Sequence, residues 1–282
     1  MSIRLITDSS ADIPVDILER YNIKQLPLHI MFGEEHYLDK VNLSPREFFE
    51  KLAENKTSPT TSQITPIEFL ETFNNELKDY DQVICMTMGA NASGTFQSAM
   101  IARNDLEDES RVAVIDSGLF CNGSALLAIE IAKMIESDMA FEDIVEKANL
   151  LKHRIEVIFC VDTLKYLRKG GRIKSSEAII GEVLQIKPML RVEDGITKPV
   201  GKVRGRHKVY KFFLDYMEET LDKEALDSII LAHGQDMAHI EELSGQIKER
   251  FEIKNDFILA EVGATIGTHS GPGILAAAYI KK

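Results

Sequence analysis

Short apolar runs alternate with amphipathic segments along the first half of this chain, the pattern of parallel strands joined by crossover helices. The candidate strands are residues 3–7, 25–30, 82–87, 111–116 and 156–161. Two helix starts are explicit. Ser44-Pro45-Arg46-Glu47 and Thr65-Pro66-Ile67-Glu68 each supply a hydroxyl cap, proline at the first helical position and glutamate where a capping box requires it. Between them, residues 57–63 place five hydroxyls in seven positions, too polar to bury a core, and read as a loop.

The sequence changes character near Asp162. Residues 188–192 and 196–200 flank Glu193-Asp194-Gly195, which predicts a β-hairpin and excludes a purely doubly wound fold. Two more strand-and-helix units follow, with strands at 228–232 and 257–262, the first leading into a helix begun by Asp236. The chain ends in a stretch with four glycines across eleven residues, 263–273, and an apolar tail. At 282 residues it is near the length where one core stops growing. The expected fold class is therefore α/β with two domains. Residues 1–162 form an N-terminal three-layer domain on a parallel sheet, and residues 163–282 a C-terminal domain with a mixed sheet.

Composition narrows the functional classes. No apolar run approaches the roughly 20 residues of a membrane span, and the opening Met-Ser-Ile-Arg-Leu-Ile-Thr-Asp soon turns polar, so neither secretion nor insertion is expected. Cys85, Cys121 and Cys160 are odd in number and widely spaced, and read as reduced thiols of a cytoplasmic protein. Neither clustered cysteines nor an H-x-x-x-H pair is present, so no metal is expected. The formal charge of −12 argues against a nucleic-acid partner for the chain as a whole. Residues 163–211 nevertheless hold 13 Lys and Arg against 4 Asp and Glu, a net +9 that leaves the remainder at −21. That segment is either a solvated face or a docking surface for an acidic partner.

Ligands of open α/β sheets sit at the carboxyl ends of the strands, and here those positions are rich in hydroxyls. They include Asp8-Ser9-Ser10, Thr61-Ser62, Ser93-Gly94-Thr95 and Asp116-Ser117. Ser93-Gly94-Thr95 follows a strand and opens a helix, so its hydroxyls and backbone N–H groups can meet one anion with the helix dipole assisting. The plain alternative is a helix cap, worth about 1 kcal/mol. The loop lacks the lysine and glycine spacing of a nucleotide site. His269 lies among the clustered glycines and is either a packing residue or part of a site.

Taken together, Thr7-Asp8-Ser9-Ser10-Ala11-Asp12, Thr60-Thr61-Ser62-Gln63, Ser93-Gly94-Thr95-Phe96-Gln97-Ser98-Ala99, Gly170-Gly171-Arg172-Ile173, Lys187-Pro188 and Gly267-Thr268-His269-Ser270-Gly271-Pro272-Gly273 resemble the DegV family. That bacterial family includes the fatty-acid-binding subunits of fatty acid kinase. The resemblance implies a long-chain fatty acid held between the two domains. Its carboxylate would be bound by Thr61, Ser62, Ser93, Gly94 and Thr95, with His269 nearby. Ile179, Ile180, Val183, Leu184, Ile186, Met189 and Leu190 are the candidates for lining the acyl chain. The resemblance also implies a carrier without a cofactor of its own. A separate ATP-binding kinase subunit would phosphorylate the carboxylate, and the acyl phosphate would feed phospholipid synthesis, with at most transient membrane contact. Arg172, Lys202, Arg204 and Arg206 are the candidates for meeting the kinase.

Two alternatives compete. One is a stand-alone acyl hydrolase or transferase using Ser93 as nucleophile and His269 as base, although Ser93 lacks a G-x-S-x-G elbow and no orienting acid is assignable. The other is a regulatory module whose basic segment binds nucleic acid.

Overall fold

The computed structural model describes residues 1–54, 57–173 and 186–282. In chain order, β1 (Ile3–Asp8), α1 (Val15–Arg20), β2 (Lys24–Leu26), β3 (His29–Phe32), β4 (Glu35–Leu38), α2 (Pro45–Glu54), β5 (Thr60–Ser62) and α3 (Pro66–Glu76) come first. Next are β6 (Gln82–Thr87), α4 (Thr95–Asn104), β7 (Val112–Asp116), α5 (Asn122–Glu136), α6 (Phe141–Leu151), β8 (Ile155–Cys160) and α7 (Lys165–Lys169). The last are β9 (Ile186–Glu193), β10 (Ile196–Arg204), α8 (Arg206–Thr220), β11 (Ile230–His233), α9 (Met237–Phe251), β12 (Ile258–Glu261), α10 (Ala264–Ser270) and β13 (Leu275–Ile280).

A four-stranded sheet of order β2-β1-β6-β7 is parallel throughout. A six-stranded mixed sheet has the order β10-β9-β8-β13-β11-β12, with only β11 and β12 parallel. Between the two sheets lies α5. Ala125 to Ile129, Ile131 and Ala132 are all buried, so the helix is apolar around most of its circumference, as a helix packed on both sides must be. One core cluster joins α5 and α6 to residues of both sheets. A second packs α8 and α9 on the outer face of the mixed sheet, and a third packs α3 and α4 on the outer face of the parallel one.

Both helix starts form as expected. Ser44 and Glu47 bond reciprocally, and Thr65 and Glu68 make a full capping box with Pro66 at the first helical position. The hairpin also forms. Asp194 and Gly195 take φ of 48° and 73°, the left-handed geometry that lets a two-residue turn follow the strand twist.

Three expectations are corrected, and one stretch left without an element gains one. The run 25–30 is not one strand: Pro27, which has no N–H to donate, separates β2 in the parallel sheet from β3 in a three-stranded sheet of order β4-β3-β5. Thr60–Ser62 is not loop but β5, antiparallel to β3, because pairing with a neighbour overrides weak local propensity. The run 156–161 does not join the parallel set. As β8 it is antiparallel to β9 and β13, although it precedes the boundary expected at residue 162. The glycine-rich stretch contains a helix, α10, with Gly263 as its N-cap and Gly271 (φ 71°) ending it.

Candidate functional site

Helix α10 is held by buried carboxylates. Asp39 accepts from the Ala264 and Thr265 N–H groups at 3.0 and 3.3 Å, from the Thr265 hydroxyl at 2.6 Å and from the Ser9 hydroxyl at 2.9 Å. Asp12 accepts from the Gly263 N–H at 2.8 Å and pairs with Lys40 at 2.7 Å. Burial pushes the Asp12 carboxyl up. Burial also works against charge on Lys40, but Asp12 and Asp39 override it and hold the ammonium above its ordinary range.

The helix so fixed carries Thr265, Ile266, His269 and Ser270 into a cavity of about 290 Å³. Leu28, Met88, Phe120, Phe159, Leu167 and Ile274 supply the apolar wall, and Thr61, Ser62, Gln63, Ser93, Gly94 and Arg172 gather on the polar one. No Asp or Glu stands among its described lining residues. A second cavity of similar volume adjoins it and shares Thr61, Arg172 and His269.

Hydrogen bonds fix the side chains of the polar wall. His269 is largely buried, its Nε2 lies 3.1 Å from Thr61 Oγ1, and its Nδ1 has no partner among the described residues. Burial and the positive charge of Arg172 lower its pKa to about 4, so the ring is neutral at pH 7. A buried unpaired lone pair is tolerated better than a buried unpaired N–H, so the single hydrogen is assigned to Nε2. Thr61 Oγ1 then accepts from His269 and has its own hydrogen to donate.

Ser93 is prepared in a similar way. Its Oγ accepts the Thr95 N–H at 3.3 Å and lies 2.9 Å from Thr95 Oγ1. Gly94, not Ser93 or Thr95, is the N-cap of α4, and no side chain caps it. Thr95 is fully buried behind Ser93 and is not among the described cavity-lining residues. The loop is steadied from the second sheet: Asn91 Nδ2 donates to the Asp194 carbonyl at 2.9 Å, and a Cβ on Gly89 would come within 2.8 Å of Gly195 Cα. Arg172 donates to the Ala92 carbonyl through Nε and Nη2, at 3.3 and 3.2 Å.

Thr61, Ser62, Ser93, Gly94, His269 and Arg172, far apart in sequence, thus meet on one wall. Among the acyl-lining candidates, Ile179, Ile180, Val183 and Leu184 lie outside the described residues. Ile186, Met189 and Leu190 sit on β9, and none is among the described lining residues; Met189 belongs to the core on the outer face of the mixed sheet. Lys202 and Arg204 are exposed on β10. Arg206 differs: it pairs with Asp236 and lies 3.6 Å from Asp162, an internal tie between loops. Sequence reasoning missed Gln63, Thr265 and Ser270 on the wall, and Phe120 and Phe159, whose rings meet edge to face at 6.4 Å. Gln63 and Ser270 stood inside motifs already singled out; the two phenylalanines carried no local signal.

Two measurements probe this geometry. A Cβ on Gly170 would fall 2.1 Å from His269 Nδ1, so Gly170→Ala is expected to displace the imidazole and abolish its bond to Thr61. The His269 side-chain resonances should shift while far-UV circular dichroism stays constant; unmoved resonances would contradict the close approach. For pH, the native ring takes its proton only near 4, whereas an unfolded histidine takes it near 6.5. The resulting stability is complete above that unfolded value and is lost as pH falls toward 4, about 3 kcal/mol in all. Urea unfolding should show the wild type losing this much more than His269→Gln between pH 7 and 4, and parallel losses would place the ring in water.

The sequence model of a family described as "Uncharacterised protein, DegV family" matches residues 2–282. The chain belongs to the DegV family. This DegV-family chain is 38% identical over 270 residues to a DegV domain-containing protein of Caldanaerobacter subterraneus, covering 96% of this chain and 95% of that one. It superposes with a TM-score of 0.90 on a DegV-family protein of Thermus thermophilus described by its fatty acid binding, at 27% identity over 99% of this chain and 100% of that chain. With a stearic-acid-binding protein of Eubacterium ventriosum the TM-score is 0.89, at 25% identity over 99% and 98% of the two chains. The DegV fold, a parallel sheet in the N-terminal part and a mixed sheet in the C-terminal part, is therefore shared across the whole length. Among the described residues of this DegV-family protein, no group of three His, Cys, Asp or Glu side chains is placed to hold a metal ion, and no helix is long and apolar enough to cross a membrane.

Proposed function

We propose that this DegV-family protein holds a long-chain fatty acid with its carboxylate against Thr61, Ser62, Ser93 and Gly94, and presents that carboxylate to a separate ATP-binding kinase subunit. The observation that carries the reading is an apolar cavity ending in a wall of hydroxyl donors, a neutral imidazole and one arginine, with no acid among its described lining residues. A carboxylate leaving water needs several charge-assisted hydrogen bonds, and this wall offers them. A tail of roughly 16 carbons gains about 0.8 kcal/mol per buried methylene. The fatty acids bound by the Thermus and Eubacterium relatives support the same ligand class.

The chemistry would belong to the partner. A carboxylate oxygen attacks the γ-phosphorus of ATP on the kinase, the bond to the bridging oxygen breaks, and ADP leaves with the electron pair. The product is an acyl phosphate for phospholipid synthesis. A hydrolase reading finds less support. His269 bonds Thr61 rather than Ser93, no carboxylate among the described residues orients its Nδ1, and a pKa of about 4 makes it a poor base at neutral pH. The exposed Lys202 and Arg204 fit a docking role for an acidic kinase surface; Arg206, tied to Asp236, fits it less well.

Loaded protein, a fatty acid kinase subunit and γ-labelled ATP test the reading. Labelled acyl phosphate is expected, and Arg204→Glu should spare lipid content while lowering the labelling rate about tenfold, as removal of a steering charge does. Absence of label with loaded wild type overturns presentation to a kinase. An unchanged rate for Arg204→Glu returns β10 to an ordinary solvated edge.

A further inference from the structure

Away from the cavity, the hairpin of β3 and β4 carries a pair of imidazoles. His29 stands opposite Leu38 and Met31 opposite His36, so the two histidines are diagonal neighbours on one face of the hairpin. Their rings are nearly coplanar, with 9° between the planes, and His29 Nδ1 lies 3.1 Å from His36 Nε2. The other nitrogen of His29, Nε2, faces Glu68 of α3 and lies 3.0 Å from its Oε1. Glu68 is itself pinned: its Oε2 accepts from the Thr65 N–H at 2.7 Å and the Thr65 hydroxyl at 2.6 Å, within the capping box that starts α3. Burial works against charge on this carboxyl, but the bonds from Thr65 and His29 hold it below its ordinary range. An ionised carboxylate only accepts, so the hydrogen of the neutral His29 ring is assigned to Nε2 and the lone pair to Nδ1. That lone pair points at His36, which is exposed and has no other hydrogen bond among the described residues.

We propose that His29 Nδ1 and His36 Nε2 form a binding site for a divalent transition-metal ion of the zinc class, with Glu68 as the carboxylate behind the first ligand. Two nitrogens on a tetrahedral ion with bonds of about 2.0–2.1 Å stand about 3.3–3.4 Å apart, close to their separation in the hairpin. To bind, His36 takes the Nδ1–H tautomer and turns its Nε2 lone pair to the metal, an adjustment open to an exposed ring. Water completes the coordination. Imidazole suits zinc, copper and nickel, whereas magnesium and calcium require oxygen ligands. A carboxylate on the far nitrogen of a ligating histidine fixes its tautomer and raises its basicity, and Glu68 stands in that place. Glu68 is therefore no third ligand, which agrees with the absence of a three-residue metal group among the described residues. The site does not rest on the fatty-acid reading. It does share a strand with the polar wall, because His29 is paired in register with Ser62 of β5.

Zinc chloride titrated into tag-free wild type, His36→Ala and Glu68→Gln, against a zinc-sensing dye, tests this. Glutamine is chosen because a capping box accepts it in place of glutamate, so α3 keeps its start while the carboxylate behind His29 is removed. The expected result is one zinc ion bound per wild-type chain, lost in His36→Ala and weakened about ten- to a hundredfold in Glu68→Gln. Nitrogen-15 spectra of the wild-type histidines give a readout independent of either variant: at one equivalent of zinc, His29 Nδ1 and His36 Nε2 should shift and the other histidines should not. Wild type that binds no zinc overturns the site, as does zinc bound equally by His36→Ala or shifts confined to other histidines. Loss in His36→Ala with wild-type affinity in Glu68→Gln overturns the part given to Glu68.

Discussion

Lys40→Met is expected to lower the unfolding free energy by about 3–5 kcal/mol, the cost of leaving a buried carboxylate without its counter-charge. Asp12 has no exposed side-chain surface, and Asp39 acts on it alongside its 2.7 Å pair with Lys40, so removing the ammonium leaves two buried carboxylates without their counter-charge. The same carboxylates hold the start of α10, and α10 carries His269 to the cavity. The variant should therefore lose fatty acid as well as stability. Adding Asp12→Asn should restore part of the stability, because the remaining groups are then less highly charged. Urea denaturation of the three proteins measures both effects. A loss below about 1 kcal/mol in the single variant, typical of a solvated ion pair, would show that water reaches the cluster.

Ser93→Ala and Thr61→Ala are each expected to weaken fatty acid binding by about ten- to a hundredfold, the range for losing a hydrogen bond to a charged group. Neither hydroxyl supports the core: among the described residues the Ser93 hydroxyl bonds only Thr95, and that of Thr61 bonds His269. Melting temperatures of the delipidated variants should accordingly stay close to that of the wild type. Competitive displacement of a fluorescent fatty acid gives the affinities. Wild-type affinity in both variants would place the carboxylate elsewhere, whereas a large fall in melting temperature would make the hydroxyls structural.

Much of this arrangement is legible in the chain, and the parts that are not share a physical cause. The capping boxes at Ser44 and Thr65 and the Asp194-Gly195 turn are local chemistry, complete within a few residues, and they form as read. The Ser93 loop is likewise local: a buried strand, a break and a helix start. Strand β8 is different. Its six residues are all buried, Glu156 among them, and a run buried on both faces looks the same whether its neighbours are parallel or antiparallel. The pairing of Thr61 with His269 spans 208 residues, and the bonds from Asp39 to α10 span about as many; no periodicity or cap announces such partners. Family resemblance placed Thr61 and His269 near one carboxylate but did not supply the bond between them. Nothing in the sequence supplied the Asp39 bonds, because Asp12, Asp39 and Lys40 look like ordinary loop charges until the fold buries them.

In the proposed function, the cavity between the hydroxyl loops and α10 holds one long-chain fatty acid by its carboxylate. The most direct measurement is mass spectrometry of the lipid extracted from purified protein, with palmitate uptake by the delipidated chain in parallel. One long-chain fatty acid per chain is expected in the extract or after loading, with occupancy reduced in Ser93→Ala. Protein that carries no acyl chain and takes up none would contradict it.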